Sequence, residues 1–269
     1  MSVVDVNGTR LHYLVEGPED APAIAFLNSL GSDVGMWDPQ VEALRSRFRI
    51  VRHDSRGHGA SDAPEGPYSI EQLGGDVVSL LDALEIERVH LCGVSMGGLV
   101  ALWMAATHSE RTERAIFAST AVKIGSKDFW DERARAVEAG GMKAIRETVI
   151  ERFLTSSFRE ASPRMAREVE ATLESTPPDG YVASCLAVRD ADLTGTVGSI
   201  RAPSLIIAGA EDVATPPSDA EKLHEHIPGS ELVVLEDASH LCNLEQPERF
   251  NEMVLRFLGS GREVGRRHP

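Results

Sequence analysis

The sequence predicts an α/β fold: a mostly parallel, eight-stranded sheet with helices on both faces and a helical lid over one edge. Three observations carry this expectation. Short apolar runs alternate with longer helical stretches through the first half of the chain, the pattern of strands joined by crossover helices. The pentapeptide Gly93-Val94-Ser95-Met96-Gly97 falls where one such strand meets one such helix. Strands then vanish between about residues 129 and 193, where the pattern is helical and amphipathic throughout. A chain of 269 residues with 42% hydrophobic side chains is long enough for one such domain with an insertion.

The elements follow in order. Residues 3–6 and 9–15 read as a hairpin around Asn7-Gly8, a pair suited to a two-residue turn at positive φ. Residues 23–27, 48–53, 89–92 and 115–118 follow as four apolar strands. Helices over 37–45 and 69–84 and a third after Ser95 separate them. Pro163 and Pro177-Pro178 divide the later helical region into pieces. Strands resume at 204–208 and 232–235, and a last helix covers about 247–258. The expected organisation is a core in two parts, 1–120 and 199–258, with a lid over 121–198. The tail 259–269, rich in glycine and arginine, is expected to be mobile.

Net charge is −15, from 42 acidic and 27 basic residues. That balance argues against nucleic acid as a partner, since phosphates need a basic face. It argues equally against an anionic membrane surface. No run approaches the ~18 apolar residues of a membrane span. No basic stretch followed by an apolar run opens the chain, so no leader is expected. The three cysteines, Cys92, Cys185 and Cys242, are an odd number without close spacing. A reducing cytoplasm without disulfides is the expected setting. A small anionic substrate stays open, although it would need local arginines rather than help from the overall field.

The residues around Ser95 supply the chemistry. The apolar stretch before Gly93 reads as a strand, and Gly98-Leu99-Val100-Ala101-Leu102 after it begins a buried helix. Strand, tight turn and helix make this pattern a nucleophile elbow, the mark of the α/β-hydrolase fold. A serine there sits on a strained turn with its hydroxyl above the carboxyl edge of the sheet. Gly93 and Gly97 leave room for that turn.

A serine hydroxyl needs a base, and the base needs an orienting group. In α/β-hydrolases these partners follow in the order serine, acid, histidine. Nine histidines compete. His240 is the one in the loop after the last strand, where the base belongs, and Asp212 follows the strand at 204–208. His224 and His226 are two apart on the intervening helix and share no face. The rival acid position one strand earlier reads Ser119-Thr120-Ala121, which holds no acid. Two backbone amides are expected to form the oxyanion hole. One is that of Met96; by position Leu30 supplies the other, with Ser29 as the close rival. Asp54-Ser55-Arg56-Gly57-His58-Gly59-Ala60-Ser61-Asp62 lacks the Gly-Lys-Ser/Thr of a phosphate loop. Hydrogen bonding within that loop is a better reading than a metal site at His58, Asp54 and Asp62. No Cys-x-x-Cys or His-Glu-x-x-His motif is present, so neither metal nor cofactor is implied.

Several stretches go further. Asn28-Ser29-Leu30-Gly31 stands where many esterases have His-Gly, and Gly35-Met36-Trp37-Asp38-Pro39-Gln40 follows. Gly57 to Asp62 with Gly66-Pro67-Tyr68-Ser69, Thr176-Pro177-Pro178 with Gly180-Tyr181, and Ala214-Thr215-Pro216-Pro217 complete the set. With these the chain resembles the 3-oxoadipate enol-lactonases over about residues 23–258. Asp54-Ser55-Arg56 departs from the Asp-Thr-Arg of that pattern.

The resemblance implies hydrolysis of a five-membered enol-lactone with an acetate arm, through an acyl-enzyme on Ser95. It places the reaction in aromatic catabolism. The substrate carboxylate then calls for a cation. Arg133 at the start of the lid is the first candidate and Arg189 the second, with Trp130 packing on the flat ring. A general carboxylesterase, a cofactor-free perhydrolase and a hydrolase-fold binding protein are the alternatives. A dehalogenase is disfavoured, because its nucleophile is an aspartate. The sequence leaves the oligomeric state open.

Overall fold

The computed structural model describes residues 2–259, so the tail expected at 259–269 lies outside the described residues except for Gly259. The hairpin forms as expected, with β1 (Ser2–Val6) and β2 (Thr9–Glu16) joined through Asn7 at φ 46° and Gly8 at φ 73°. The central strands are β3 (Ala23–Leu27), β4 (Arg49–His53), β5 (Val89–Val94) and β6 (Thr112–Ala118). The last two are β7 (Ser204–Gly209) and β8 (Glu231–Leu235). They form one sheet of eight strands in the order β1-β2-β4-β3-β5-β6-β7-β8. Pairing is antiparallel at β1–β2 and β2–β4 and parallel across the rest. Every side chain of β3 and β7 is buried, as strands covered on both faces must be.

Helices connect the parallel strands. They are α1 (Asp38–Leu44), α2 (Ile70–Ala83) and α3 (Met96–Thr107) in the first half. The helix expected at 37–45 begins instead as a 3-10 turn over Val34–Trp37, capped by the Asp33 carboxylate. Pro39 then fits the first turn of α1, where a missing amide hydrogen costs nothing. In α2 the Ser69 hydroxyl caps the start, and Ile70, Leu73, Val77, Leu80 and Leu81 bury one stripe. α3 is apolar nearly all round because it packs on β3, β5 and β6 while α2 covers it from outside.

Between β6 and β7 the chain leaves the sheet for five helices. These are α4 (Lys127–Gly140), α5 (Arg146–Phe153), α6 (Ser156–Ala161), α7 (Pro163–Ser175) and α8 (Pro178–Asp190). The prolines that divide this region in the sequence stand at the first turns of α7 and α8, starting helices rather than interrupting them. The remaining helices are α9 (Pro217–His226), α10 (Cys242–Glu245) and α11 (Pro247–Gly259). Among the described residues no helix is long and apolar enough to cross a membrane.

Two polar centres fix the loop after β4. Asp54 accepts hydrogen bonds from the His12 ring (2.8 Å), the Val34 amide (2.8 Å) and the Ala60 amide (2.9 Å). Arg56 makes a two-pronged pair with Asp76 of α2 at 2.6 and 2.7 Å, and its guanidinium lies 5.5 Å from the Tyr68 ring centre. Arg56 and Asp76 are each 2% exposed. Removing one charge from so buried a pair strands the other. Asp76→Asn is expected to lower the unfolding free energy by about 3 kcal/mol, read from urea denaturation. A loss under about 1 kcal/mol would show that the pair does not hold this loop.

Candidate active site

Ser95 stands between β5 and α3 with φ 58° and ψ −115°, a strained conformation for a residue with a side chain. Two glycines make it possible. A Cβ on Gly93 would lie 2.2 Å from the Gly97 carbonyl oxygen, and one on Gly97 would lie 2.0 Å from that of Leu27. The start of α3 is thereby drawn against the end of β3. Ser95 and His240 line one cavity of about 230 Å³, and the structure brings both to the same wall-to-wall space.

His240 is held from two sides. Its Nδ1–H donates to Asp212 Oδ2 at 2.8 Å, which orients the ring. The Phe153 ring from α5 stacks on the imidazole at 5.5 Å and 22°. Asp212 is 2% exposed and saturated with donors. Its Oδ1 accepts from the Ala214 and Thr215 amides at 2.8 and 3.0 Å, and its Oδ2 also accepts from the Thr215 hydroxyl at 2.7 Å. Burial alone would raise its pKa. The charge and hydrogen bond of His240, with the Thr215 donors, outweigh burial and hold the carboxyl below the usual range.

In the loop after β3 the successive amides differ in how they are engaged. The Ser29 amide is engaged by Met36 Sδ at 3.4 Å. The Gly31 amide donates to His58 Nε2 at 3.0 Å. Leu30 between them has an amide with no partner among the described residues, as has Met96 at the first turn of α3. His58 Nδ1–H in turn donates to the Arg56 carbonyl at 3.3 Å, so this neutral tautomer props the loop from below. The Ser29 hydroxyl is fully buried, lines the cavity and has no partner among the described residues.

Of the residues expected to grip a carboxylate, Trp130 and Arg133 line the cavity. The Trp130 indole N–H donates to the Ile124 carbonyl at 2.6 Å, which fixes the ring. Arg189 does not line it, and the expectation for this residue is corrected. Its guanidinium is tied to Asp131 at 2.8 Å and to Asp190 at 2.7 Å, so its charge is already spent on neighbours.

Arg152, at the end of α5, also lines the cavity and is a cation that sequence reasoning missed. In sequence it is one more basic residue in the last turn of a helix, where the helix dipole alone explains it. Neither Arg133 nor Arg152 forms an ion pair among the described residues. Both lie over the Phe129 ring, 4.7 and 4.6 Å from its centre. Burial, and then the nearby charge of Arg133, push the Arg152 pKa below its ordinary value. Two like charges at one cavity wall repel each other, and an anion placed between them would relieve that repulsion.

The chain belongs to the α/β-hydrolase family, whose pattern spans residues 22–247. Within that family it stands with the enol-lactonases. It is 42% identical to 3-oxoadipate enol-lactonase 1 of Acinetobacter baylyi, across 96% of both chains. The crystal structure of the enol-lactonase from Burkholderia xenovorans superposes with a TM-score of 0.94 at 42% identity, covering 96% of this chain and 100% of that one. A thermophilic esterase from Thermogutta terrifontis shares the architecture at 28% identity and a TM-score of 0.90, with 96% of each chain covered.

Burial holds both His53 and His58 below the ordinary histidine value of 6.5. The unfolded chain therefore takes up protons more readily than the folded one. The stability these rings contribute is full above pH 6.5 and is lost as pH falls toward their folded values. His58→Gln is expected to reduce the wild-type loss of unfolding free energy between pH 7.5 and 5.5 by about 1 kcal/mol in urea titrations. An unchanged loss would mean that His58 does not stay neutral when folded.

Proposed function

We propose that this protein hydrolyses 3-oxoadipate enol-lactone to 3-oxoadipate, in the cytoplasm and in the catabolism of aromatic compounds. The observation that carries the reading is two arginines, Arg133 and Arg152, without an ion pair among the described residues, on the wall of the cavity that holds Ser95. The similarity to the Acinetobacter and Burkholderia enol-lactonases supports the same substrate.

Ser95 is the nucleophile. His240 Nε2 takes its proton, and Asp212 orients the ring and stabilises the imidazolium that forms. Attack on the lactone carbonyl places a developing oxyanion between the amides of Met96 and Leu30, the two left free by the local hydrogen bonding. Collapse of the tetrahedral species opens the ring and expels an enol, which tautomerises to the ketone. The enol is a better leaving group than an alkoxide, so His240 need give it less help. The second half-reaction runs the same way, with water activated by His240 and the carboxylic product released from Ser95.

The acetate carboxylate lies against the two guanidinium groups, which can grip it through paired hydrogen bonds. Trp130 and Phe129 pack on the flat ring. Residues 121–198 act as a lid that excludes water from this exchange and carries the selectivity. The overall charge of −15 would repel a carboxylate at a distance, so recognition is local.

Ser95→Ala is expected to lower kcat on the enol-lactone by at least about 10⁴-fold, followed by ultraviolet loss of the lactone. Arg133→Ala and Arg152→Ala are expected to lower kcat/KM for the lactone by about 10- to 100-fold, and much less for p-nitrophenyl acetate, which has no carboxylate. Turnover of p-nitrophenyl acetate as fast as the lactone would overturn the substrate assignment. Halogenation in the presence of peroxide faster than hydrolysis would move the protein to perhydrolase chemistry.

A further inference from the structure

One buried carboxylate beside the cavity has no part in the chemistry above. Glu245 closes α10 and is 7% exposed. Its Oε1 accepts from both the amide and the hydroxyl of Thr155, each at 2.8 Å. Its Oε2 accepts from the Ser239 amide at 2.6 Å. Thr155 lies just past α5, two residues beyond Phe153 and three beyond Arg152. Ser239 immediately precedes His240. One carboxylate thus joins the end of the helix that supplies an arginine to the loop that supplies the base.

The same two segments are stitched at two further points. The Ser239 hydroxyl donates to the Arg152 carbonyl at 2.9 Å, and the Leu241 amide to the Phe153 carbonyl at 3.0 Å. Phe153 then lies on the imidazole itself. Residues 152–155 and 239–245 are therefore held to each other at three points. A hydrogen bond to an ionised acceptor is stronger than one between neutral groups, and three donors on one carboxylate fix its place.

We propose that Glu245 is a positioning residue that sets the Arg152-bearing end of α5 and the His240 loop at one spacing, so that a carboxylate held at the first aligns the reacting carbonyl with the second. The proposal rests on the enol-lactonase reading, because the coupling is felt only by a substrate that carries the carboxylate. Binding energy from a remote group can lower the barrier only if the frame between that group and the reacting atoms is stiff. Glu245 provides that stiffness. Glutamine cannot replace it: its amide has one acceptor oxygen, and its NH₂ must face an N–H of either Thr155 or Ser239.

The test is a double-variant cycle with Glu245→Gln and Arg152→Ala. Values of kcat and KM are measured on the enol-lactone and on p-nitrophenyl acetate, with the melting temperature of each variant. On the lactone, Glu245→Gln is expected to reduce kcat about tenfold with a smaller change in KM. The double variant is expected to lose at least about threefold less than the product of the single losses. On p-nitrophenyl acetate the two losses should multiply. Losses that multiply on the lactone as well would overturn the role assigned to Glu245. If instead Arg152→Ala leaves lactone kcat/KM unchanged, the carboxylate-binding reading itself fails, and that outcome is separate. Should Glu245→Gln not fold, Thr155→Val takes its place in the cycle. It removes one of the three donors, and the same departure from multiplication is expected, smaller in size. Its absence counts equally against the proposal.

Discussion

The carboxyl edge of this sheet is organised around a contact that tolerates nothing larger than hydrogen. A β-carbon on Gly97 would fall 2.0 Å from the Leu27 carbonyl, so the first turn of α3 and the end of β3 can touch only through glycine. That approach places the amide of Met96, at a helix start with its partial positive charge, beside the loop that carries Leu30. It also forces Ser95 into its strained turn above both. The apolar packing of α3 on three strands supplies the stability that keeps the strain in place. The rest of the site answers to this arrangement: His58 props the Leu30 loop, Met36 occupies the neighbouring amide, and Asp54 ties both loops to β2.

Charge is distributed in a way that total composition conceals. The chain is strongly acidic, yet two guanidinium groups on the cavity wall form no ion pair among the described residues. Aromatic faces stand in for one. Phe129 lies beneath both arginines, and Trp130 lies 5.3 Å from Arg133. Such contacts are attractive without neutralising the cation, so the charge stays available to a ligand. Arg189 illustrates the other outcome. With Asp131 and Asp190 already upon it, it serves to hold α4 and α8 together.

The sheet and the trio Ser95, Asp212 and His240 were legible because they rest on local signals. Glycines mark the elbow, short apolar runs mark strands, and the order of loops assigns acid and base. The two-residue turn at Asn7-Gly8 was legible for the same reason. Arg152 and Glu245 were not, since neither has a local signature. A basic residue in the last turn of one helix and an acidic one at the end of another are each explained by their own helix. Their setting arises from contacts between segments ninety positions apart, at Thr155 and Glu245. Leu30 was placed by position alone. Its distinction from Ser29 comes from a thioether seven residues away, which no pattern in the sequence announces.

Under the helical insertion the sheet is continuous. β6 pairs directly with β7, from Ala115 against Ser204 to Ala118 against Ile207, as though the intervening helices were absent. An insertion at such a seam can be exchanged during evolution without rethreading a single strand. The hydrogen bonds between Thr155 and Glu245 limit that freedom. A transplanted cap that lacks a matching donor leaves one oxygen of a buried acid without its partners. On the role proposed for Glu245, a graft of the cap would have to keep one residue on the far side of the seam as well as the helices themselves.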